Sequence, residues 1–311
     1  AVLVSMTLFP PISEGQDDWK SGEAPARSRA SLSRVNTTAA SAPSDAPLAS
    51  TRIGEGPRRV AFLHGLMGRG RNFTGPAKEL GDDFTVELID LPDHGASPWT
   101  DRVDYREIAD RVAAHLRAGL AADGPVHLLG HSMGGKVAMV LALRHPDLVD
   151  RLIVEDISPR VSPQATDEFV HLLGTMLRMD LDAYETRAEA DAAMAEHVHD
   201  ARVRGFLLQN LRRTAGHFAW QPNVAMLFEH LREIGSFPDP VVPEDPERVF
   251  DHPVLWLAGA ESDYVQDEDV PRMKELFPRV VRVTVRDAGH WLHADQPEAF
   301  VSAVRTFLTA D

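Results

Sequence analysis

Apolar and polar positions follow one another along most of the chain in a pattern that predicts strands and helices in turn. Short apolar runs, which predict buried strands, occur at RRVAFLHG (58–65), FTVELIDLP (84–92), VHLLG (126–130), RLIVEDIS (151–158), PVLWLAG (253–259) and VVRVTVRDAG (280–289). Helical periods lie between them; in segment 104–120, apolar residues recur every fourth position from Ile108 to Leu120. Because several runs are apolar throughout, the pattern predicts a mostly parallel sheet with helices on both faces, an α/β fold.

The alternation breaks between about residues 159 and 251. The apolar spacing there is helical and contains no convincing strand, so we expect a helical insertion over the carboxyl ends of the strands. Residues 1–47 are rich in Ser, Ala and Pro without any period, which is typical of a disordered extension. The predicted organisation is an extension (1–47), a core (48–159 and 246–311) and a helical cap (160–245).

Composition narrows the class of protein. The chain has 311 residues, 43% of them hydrophobic, and a formal charge of −15, nearly all of it outside the first 50 residues. This acidic body argues against a nucleic-acid partner. There is no cysteine and no apolar run long enough to span a membrane. The opening AVLVSMTLFP makes a poor signal peptide, so a cytoplasmic location is expected.

The chemistry centres on GHSMGG (130–135), which follows a predicted strand and opens a predicted helix. So tight a turn strains the serine backbone and lifts the Ser132 hydroxyl to the tip of the sheet, and small residues at Gly130 and Gly134 admit the neighbouring chain. The start of the helix supplies the Met133 N–H for an oxyanion.

A serine nucleophile needs a base, a carboxylate and a second oxyanion donor. His290, in DAGHWLH after the last predicted strand, is placed to be the base. The loop after the first core strand, HGLMG, offers the N–H of Leu66, with that of Met67 as an alternative. The acid stays open between Asp156 and Asp263, which both follow strands where an open sheet binds its ligands.

Five motifs in this order, HGLMG, DLPDHGASP, GHSMGGKVAM, EDISP and DAGHWLHADQPEAF, resemble the α/β-hydrolase superfamily, and most closely its small carboxylesterase branch. The resemblance covers about residues 55–309. It implies an eight-stranded, mostly parallel sheet, a helical cap, no cofactor, and hydrolysis of short to medium acyl esters through an acyl-enzyme. In that branch the acid follows the next strand after the nucleophile elbow, the strand–turn–helix unit that carries Ser132. This favours Asp156 and leaves Asp263 as the alternative.

The expected partner is a small-molecule ester, with no nucleic acid, no membrane span, and a monomer or homodimer as the assembly. Five residues around the elbow are expected to contact substrate, namely His64, Gly65, Met67, His131 and Trp291. Apolar cap residues either line an acyl pocket or pack the cap on the core: Phe169, Leu172, Leu173, Met176, Leu177, Phe206, Phe218 and Trp220. No metal site is expected, because His197 and His199 do not share one face of a helix.

Other functions remain open on this fold. Carbon–carbon bond hydrolases, thioesterases, cofactor-free haloperoxidases and acyltransferases share it, and a non-enzymatic ligand-binding protein is the alternative outside catalysis. A serine at the elbow argues against the relatives that use aspartate as nucleophile. The acidic body disfavours acyl-coenzyme A, unless Arg212 and Arg213, expected on a solvated helix face, form a local basic patch.

Overall fold

The computed structural model describes residues 46–161 and 163–310 of the chain. The expected disordered extension falls almost entirely on residues 1–45, which lie outside the described part. Leu48, the first residue of the predicted core, is buried. The carbonyl of Ala46, which belongs to the predicted extension, accepts a long hydrogen bond, 3.5 Å, from Arg111. The main chain of Ala46, a residue of the predicted extension, therefore contacts helical residue Arg111 of the core.

The strands of the core sheet are β1 (Ser50–Ile53), β2 (Arg58–Leu63), β3 (Phe84–Ile89), β4 (Val126–His131), β5 (Val149–Glu155), β8 (Val254–Gly259) and β9 (Val280–Val285). They pair in the order β1-β3-β2-β4-β5-β8-β9, and only β1 runs antiparallel to its neighbour. All six strands predicted from apolar runs are present. The mostly parallel α/β sheet is confirmed.

The described residues contribute seven strands to this sheet, whereas the family resemblance implied eight. The six apolar runs of the core and the edge strand Ser50–Ile53 account for these seven strands.

Helices cover both faces of the sheet. In the described ranges the α-helices are α1 (Thr74–Leu80), α2 (Tyr105–Arg117), α3 (Met133–Arg144), α4 (Pro163–Arg178), α5 (Arg187–Ala195), α6 (Ala201–Leu208), α7 (Val224–Glu229), α8 (Leu231–Gly235), α9 (Val270–Leu276), α10 (Leu292–Asp295) and α11 (Pro297–Thr309). Helices α2 and α3 bury their apolar sides in one hydrophobic cluster, and α1 and α11 in a second cluster. None of the helices described has the length and apolar character that crossing a membrane requires.

The insertion between β5 and β8 holds helices α4 to α8 and also a short hairpin, β6 (Leu211–Thr214) with β7 (His217–Trp220). The expectation of a strand-free cap was therefore wrong. The two connecting residues, Ala215 and Gly216, have φ values of 51° and 91°, the conformation that suits a two-residue hairpin turn. Strands of four residues are too short to show a clear alternation in the sequence.

The later part of the insertion is attached to the core through its backbone. Three side chains of α2 and α3 donate to its carbonyls: Tyr105 to Ile234 O at 2.6 Å, Arg106 to Pro240 O at 2.7 Å, and Lys136 to Gly235 O and Ser236 O at 2.8 Å each. These bonds hold α8 over the carboxyl end of the sheet.

Candidate active site

Ser132 stands at the turn between β4 and α3 with a strained backbone. Its φ of 54° and ψ of −122° are unfavourable for a residue with a side chain. The Ser132 N–H donates to the Glu155 carbonyl at 3.0 Å, which fixes the turn against β5. The turn presents the Ser132 side chain to a cavity between the core and the cap.

The two glycines beside the turn are required by close backbone contacts, as the sequence predicted. A Cβ on Gly130 would lie 2.2 Å from the Gly134 carbonyl oxygen, and a Cβ on Gly134 would lie 2.4 Å from that of Leu63. Neither distance is compatible with a side chain, since both contacted atoms belong to the backbone. The glycines thus allow α3 to start directly against β2 and β4.

His290 pairs with Asp156. The His290 Nδ1 lies 2.7 Å from the Asp156 Oδ2, and Asp156 is fully buried at a φ of 51°. The same carboxylate accepts the N–H of Gly259 at 2.9 Å and a short hydrogen bond from the Ser262 hydroxyl. With Nδ1 donating to Asp156, the other ring nitrogen of His290 keeps its lone pair and is able to accept a proton.

Asp263, the alternative acid, is placed differently. Its side chain is exposed, and its backbone carbonyl accepts hydrogen bonds from Gln266 at 3.0 Å and from Arg160 at 3.5 Å. Of the two candidate carboxylates, the structure brings Asp156 and not Asp263 to His290.

The loop after β2 carries the expected oxyanion donors. Leu66 and Met133 line the cavity together with Ser132. The N–H of Met67 donates to His94 Nε2 at 3.1 Å, and the Met67 side chain is fully buried, so Met67 is not available to a substrate. Leu66 and Met133 therefore remain the two candidate backbone donors, since both residues line the cavity beside the serine.

His64, expected to contact substrate, instead fixes the loop. It is buried, its Nδ1 donates to Gly65 O at 2.8 Å, and its Nε2 accepts the N–H of Leu91 at 3.0 Å. Burial and, to a smaller extent, the neighbouring His94 lower the pKa of His64 to about 3, so the ring is neutral. Gly65 touches the elbow, since a Cβ there would lie 3.1 Å from the Ser132 Cβ.

Behind the catalytic candidates lies a second layer of polar side chains that the sequence analysis only partly found. His131 Nε2 donates to the His290 carbonyl at 2.8 Å, and burial is the main cause that lowers the pKa of His131. Glu155 Oε1 accepts from both the Nδ1 (2.8 Å) and the N–H (3.1 Å) of His293. Glu155 adjoins Asp156 in sequence and His293 lies three residues after His290, and this nearness is the one signal that would have pointed to them.

Among the residues that the structure describes, this second layer also contains a group of side chains with the spacing of metal ligands. Nitrogen or oxygen atoms of His131, Glu155 and His293 lie within 4.8 Å of one another. Both histidines already hydrogen-bond inside the protein, so an ion would displace existing bonds. Asp200, which follows the weighed pair His197 and His199, caps α6 by accepting the N–H groups of Arg202 and Val203.

The cavity joins residues of the core to residues of the cap. Its lining consists of Leu66, Ser132, Met133, Lys136, Ile157, Phe169, Leu231, Ile234, Gly235 and Tyr264. The Tyr264 ring stacks on His290 with the ring centres 3.9 Å apart, which places His290 beside the same space. Sequence reasoning missed Lys136, Tyr264, Leu231 and Ile234, because helical period alone does not tell which apolar residue faces a cavity.

Most cap residues considered for an acyl pocket pack elsewhere. Phe169 is the one that lines this cavity, while Trp220 is buried and donates to the Met176 carbonyl at 3.1 Å. Trp291, expected to contact substrate, packs against Phe206 with ring centres 5.2 Å apart and so joins the core to the cap.

Arg212 and Arg213 lie on β6, not on a helix as expected. Arg212 donates to the Gln221 side chain at 2.7 Å, and Arg213 donates to the Glu185 carbonyl at 2.9 Å. Neither is among the residues that line the cavity, so the pair gives the site no basic patch.

Comparison with known proteins supports the fold described above. A model of the alpha/beta hydrolase family matches residues 60–303. A protein of Mus musculus named sn-1-specific diacylglycerol lipase ABHD11 is 36% identical over 256 residues, which cover 80% of each chain. Esterase YbfF of Escherichia coli is 29% identical over 252 residues, covering 80% of this chain and 92% of that protein. A solved structure described as a marine microorganism esterase has a TM-score of 0.79 and 34% identity, covering 84% of this chain and 99% of that one.

Proposed function

The chain belongs to the alpha/beta hydrolase family and is a hydrolase of ester bonds; we propose that it cleaves carboxylic esters through an acyl-enzyme formed on Ser132. The observation that carries the proposal is the pairing of buried Asp156 with His290 at 2.7 Å. The Tyr264 ring stacks on His290 and lines the same cavity as the strained Ser132. Asp263 has no part in the proposed triad.

The proposed reaction begins with proton transfer. His290, whose Nδ1–H is held by Asp156, takes the Ser132 hydroxyl proton on its other ring nitrogen while the oxygen attacks the ester carbonyl. The imidazolium that forms is stabilised by the buried carboxylate and returns its proton to the leaving alcohol. Water then attacks the acyl-enzyme by the same route and releases the acid.

Two backbone N–H groups, those of Leu66 and Met133, would hold the oxyanion. They belong to different segments, the loop after β2 and the first turn of α3, which the contact of Gly134 with Leu63 keeps together. Each such donor contributes about 3 to 4 kcal/mol to stabilisation of the transition state in comparable sites. The helix dipole of α3 favours the same negative charge.

We further propose that the acyl group lies in the cavity under α8. Its apolar lining comes from both the core and the cap, with Ile157 on one side and Phe169, Leu231 and Ile234 on the other. A lining formed by four apolar side chains favours short to medium acyl chains. Replacing Ile234 or Leu231 by Ala is expected to lengthen the preferred chain.

The experiment is a rate series on p-nitrophenyl esters from acetate to palmitate. Wild-type protein is compared with Ser132→Ala and with Ser302→Ala, which removes an exposed serine hydroxyl on α11. We expect activity in the wild type and in Ser302→Ala, a fall of at least about a thousandfold in Ser132→Ala, and an optimum at short to medium chains. Undiminished hydrolysis by Ser132→Ala would refute the acyl-enzyme.

A further inference from the structure

Lys136 is a buried cation inside the candidate substrate cavity. It lies one helical turn after Ser132, whose carbonyl accepts the Lys136 N–H at 3.1 Å, and only 2% of its surface is exposed. Both side chains line the same cavity. The proposed triad and oxyanion donors make no use of Lys136.

The ammonium group has two acceptors and three protons. Its Nζ donates to the carbonyls of Gly235 and Ser236 at 2.8 Å each, at the end of α8. The Tyr105 ring centre lies 6.0 Å away. Among the described residues, no further acceptor takes the third proton, and no carboxylate forms an ion pair with this lysine.

The charged groups around the cavity favour an anion at the Lys136 end. Arg160 is the described charged group whose field acts on Lys136; it is also a cation, and it is paired with the buried Asp269 carboxylate at 2.8 Å. The carboxylate of Glu168 acts instead on His290 and Tyr264. A buried charge without a counter-ion is costly, and burial accordingly lowers the pKa of Lys136 to about 7.

We propose that Lys136 binds a carboxylate at the far end of the acyl group, which makes half-esters of short dicarboxylic acids the preferred substrates. The inference rests on the proposed function, since it places the ester carbonyl at Ser132. Four residues of helix separate the two side chains by about 6 Å along the helix axis, so the spacer between the ester and the carboxylate is short. The apolar lining surrounds that spacer.

The test compares two substrates that differ only at the far end: monoethyl adipate, which ends in a carboxylate, and ethyl hexanoate, which ends in a methyl group. Hydrolysis is followed by alcohol release. In wild-type protein we expect kcat/KM for the half-ester to exceed that for the neutral ester by about tenfold to a hundredfold, the effect of one charged hydrogen bond.

Lys136→Met keeps the length of the side chain and removes the charge. Even if this variant weakens both reactions by disturbing α8, the ratio of the two kcat/KM values is expected to fall to about one. Lys274→Met, which removes an exposed lysine of α9, is the matched control and should keep the wild-type ratio. No preference for the half-ester in wild type, or an unchanged ratio in Lys136→Met, would overturn the proposal.

Direct binding separates this inference from the proposed function. Ser132→Ala protein, which does not turn over, is titrated with the two esters by calorimetry. Tighter binding of monoethyl adipate, by about tenfold or more, supports the role of Lys136 even if Lys136→Met fails to fold. Equal binding overturns it. Absence of hydrolysis on every ester counts against the proposed function alone, since the binding comparison still decides on Lys136.

Discussion

Replacing Asp156 by Asn should disable catalysis while leaving the fold nearly intact, and the hydrogen bonds of Asp156 explain why. The Gly259 N–H is a fixed backbone donor to Oδ1, so the amide oxygen of the new Asn takes that position. The amide NH2 then faces His290 Nδ1 where the carboxylate Oδ2 lies now, 2.7 Å away. The Ser262 hydroxyl is able to rotate and accept instead of donate.

The consequence for His290 is a change of tautomer. An NH2 group facing Nδ1 forces the ring proton to the other nitrogen, which then has no lone pair for the Ser132 proton. In the comparable triad of a serine protease this substitution lowers kcat about 10⁴-fold, or about 5.5 kcal/mol of transition-state stabilisation. The loss of folding free energy should stay within about 1 to 2 kcal/mol.

The assay measures kcat on p-nitrophenyl butyrate together with urea unfolding, for Asp156→Asn and for the control Asp263→Asn. The control changes an exposed carboxylate and should match wild type in both measurements. A folded Asp156→Asn protein that keeps more than about a tenth of the wild-type kcat would refute the triad of Ser132, His290 and Asp156. Equal losses of kcat in both variants would also refute it.

Two further predictions concern stability. Gly134→Ala forces a Cβ to 2.4 Å from the Leu63 carbonyl and should lower the free energy of unfolding by at least about 1 to 3 kcal/mol. Gly205→Ala, in a helix with open space around it, should instead raise the free energy of unfolding by up to about 1 kcal/mol, and urea unfolding of both variants distinguishes a steric effect from a general effect of Gly→Ala. Because the folded protein holds the pKa of His64 at about 3, below its value of 6.5 in the unfolded chain, the unfolded state binds the extra proton between these pH values and stability falls as pH drops through that window. The free energy of unfolding of His64→Gln should depend on pH less steeply there, by up to about 1.4 kcal/mol per pH unit, and an unchanged slope would contradict the assignment of a neutral His64.

The sequence was informative wherever a local pattern decides the structure. Apolar runs predicted the six main strands because strands buried on both faces have few polar positions. Gly130 and Gly134 predicted the tight turn because the lack of a Cβ is a local requirement. The position of His290 after the last strand followed from the order of elements.

What the sequence did not reveal depends on contacts between distant segments. Asp156 and His290 lie 134 positions apart in sequence, and only the folded chain shows that they meet. The motif alone left Asp263 as an alternative acid. Met67 is excluded as an oxyanion donor because the His94 ring accepts the hydrogen bond from its N–H. The hairpin in the cap escaped notice because strands of four residues leave little periodicity, and Lys136 because burial of a lysine has no sequence signature.

The attachment of α8 to the core has a consequence for how this enzyme can change. Tyr105, Arg106 and Lys136 hold the segment 234–240 by its main-chain oxygens, which every amino acid supplies. These main-chain bonds do not depend on the side chains at Leu231 and Ile234, which pack in the hydrophobic cluster and line the cavity. Replacing these side chains one at a time would reshape the proposed acyl cavity while the main-chain bonds that hold α8 remain, which makes α8 the natural starting point for directed evolution of new specificities.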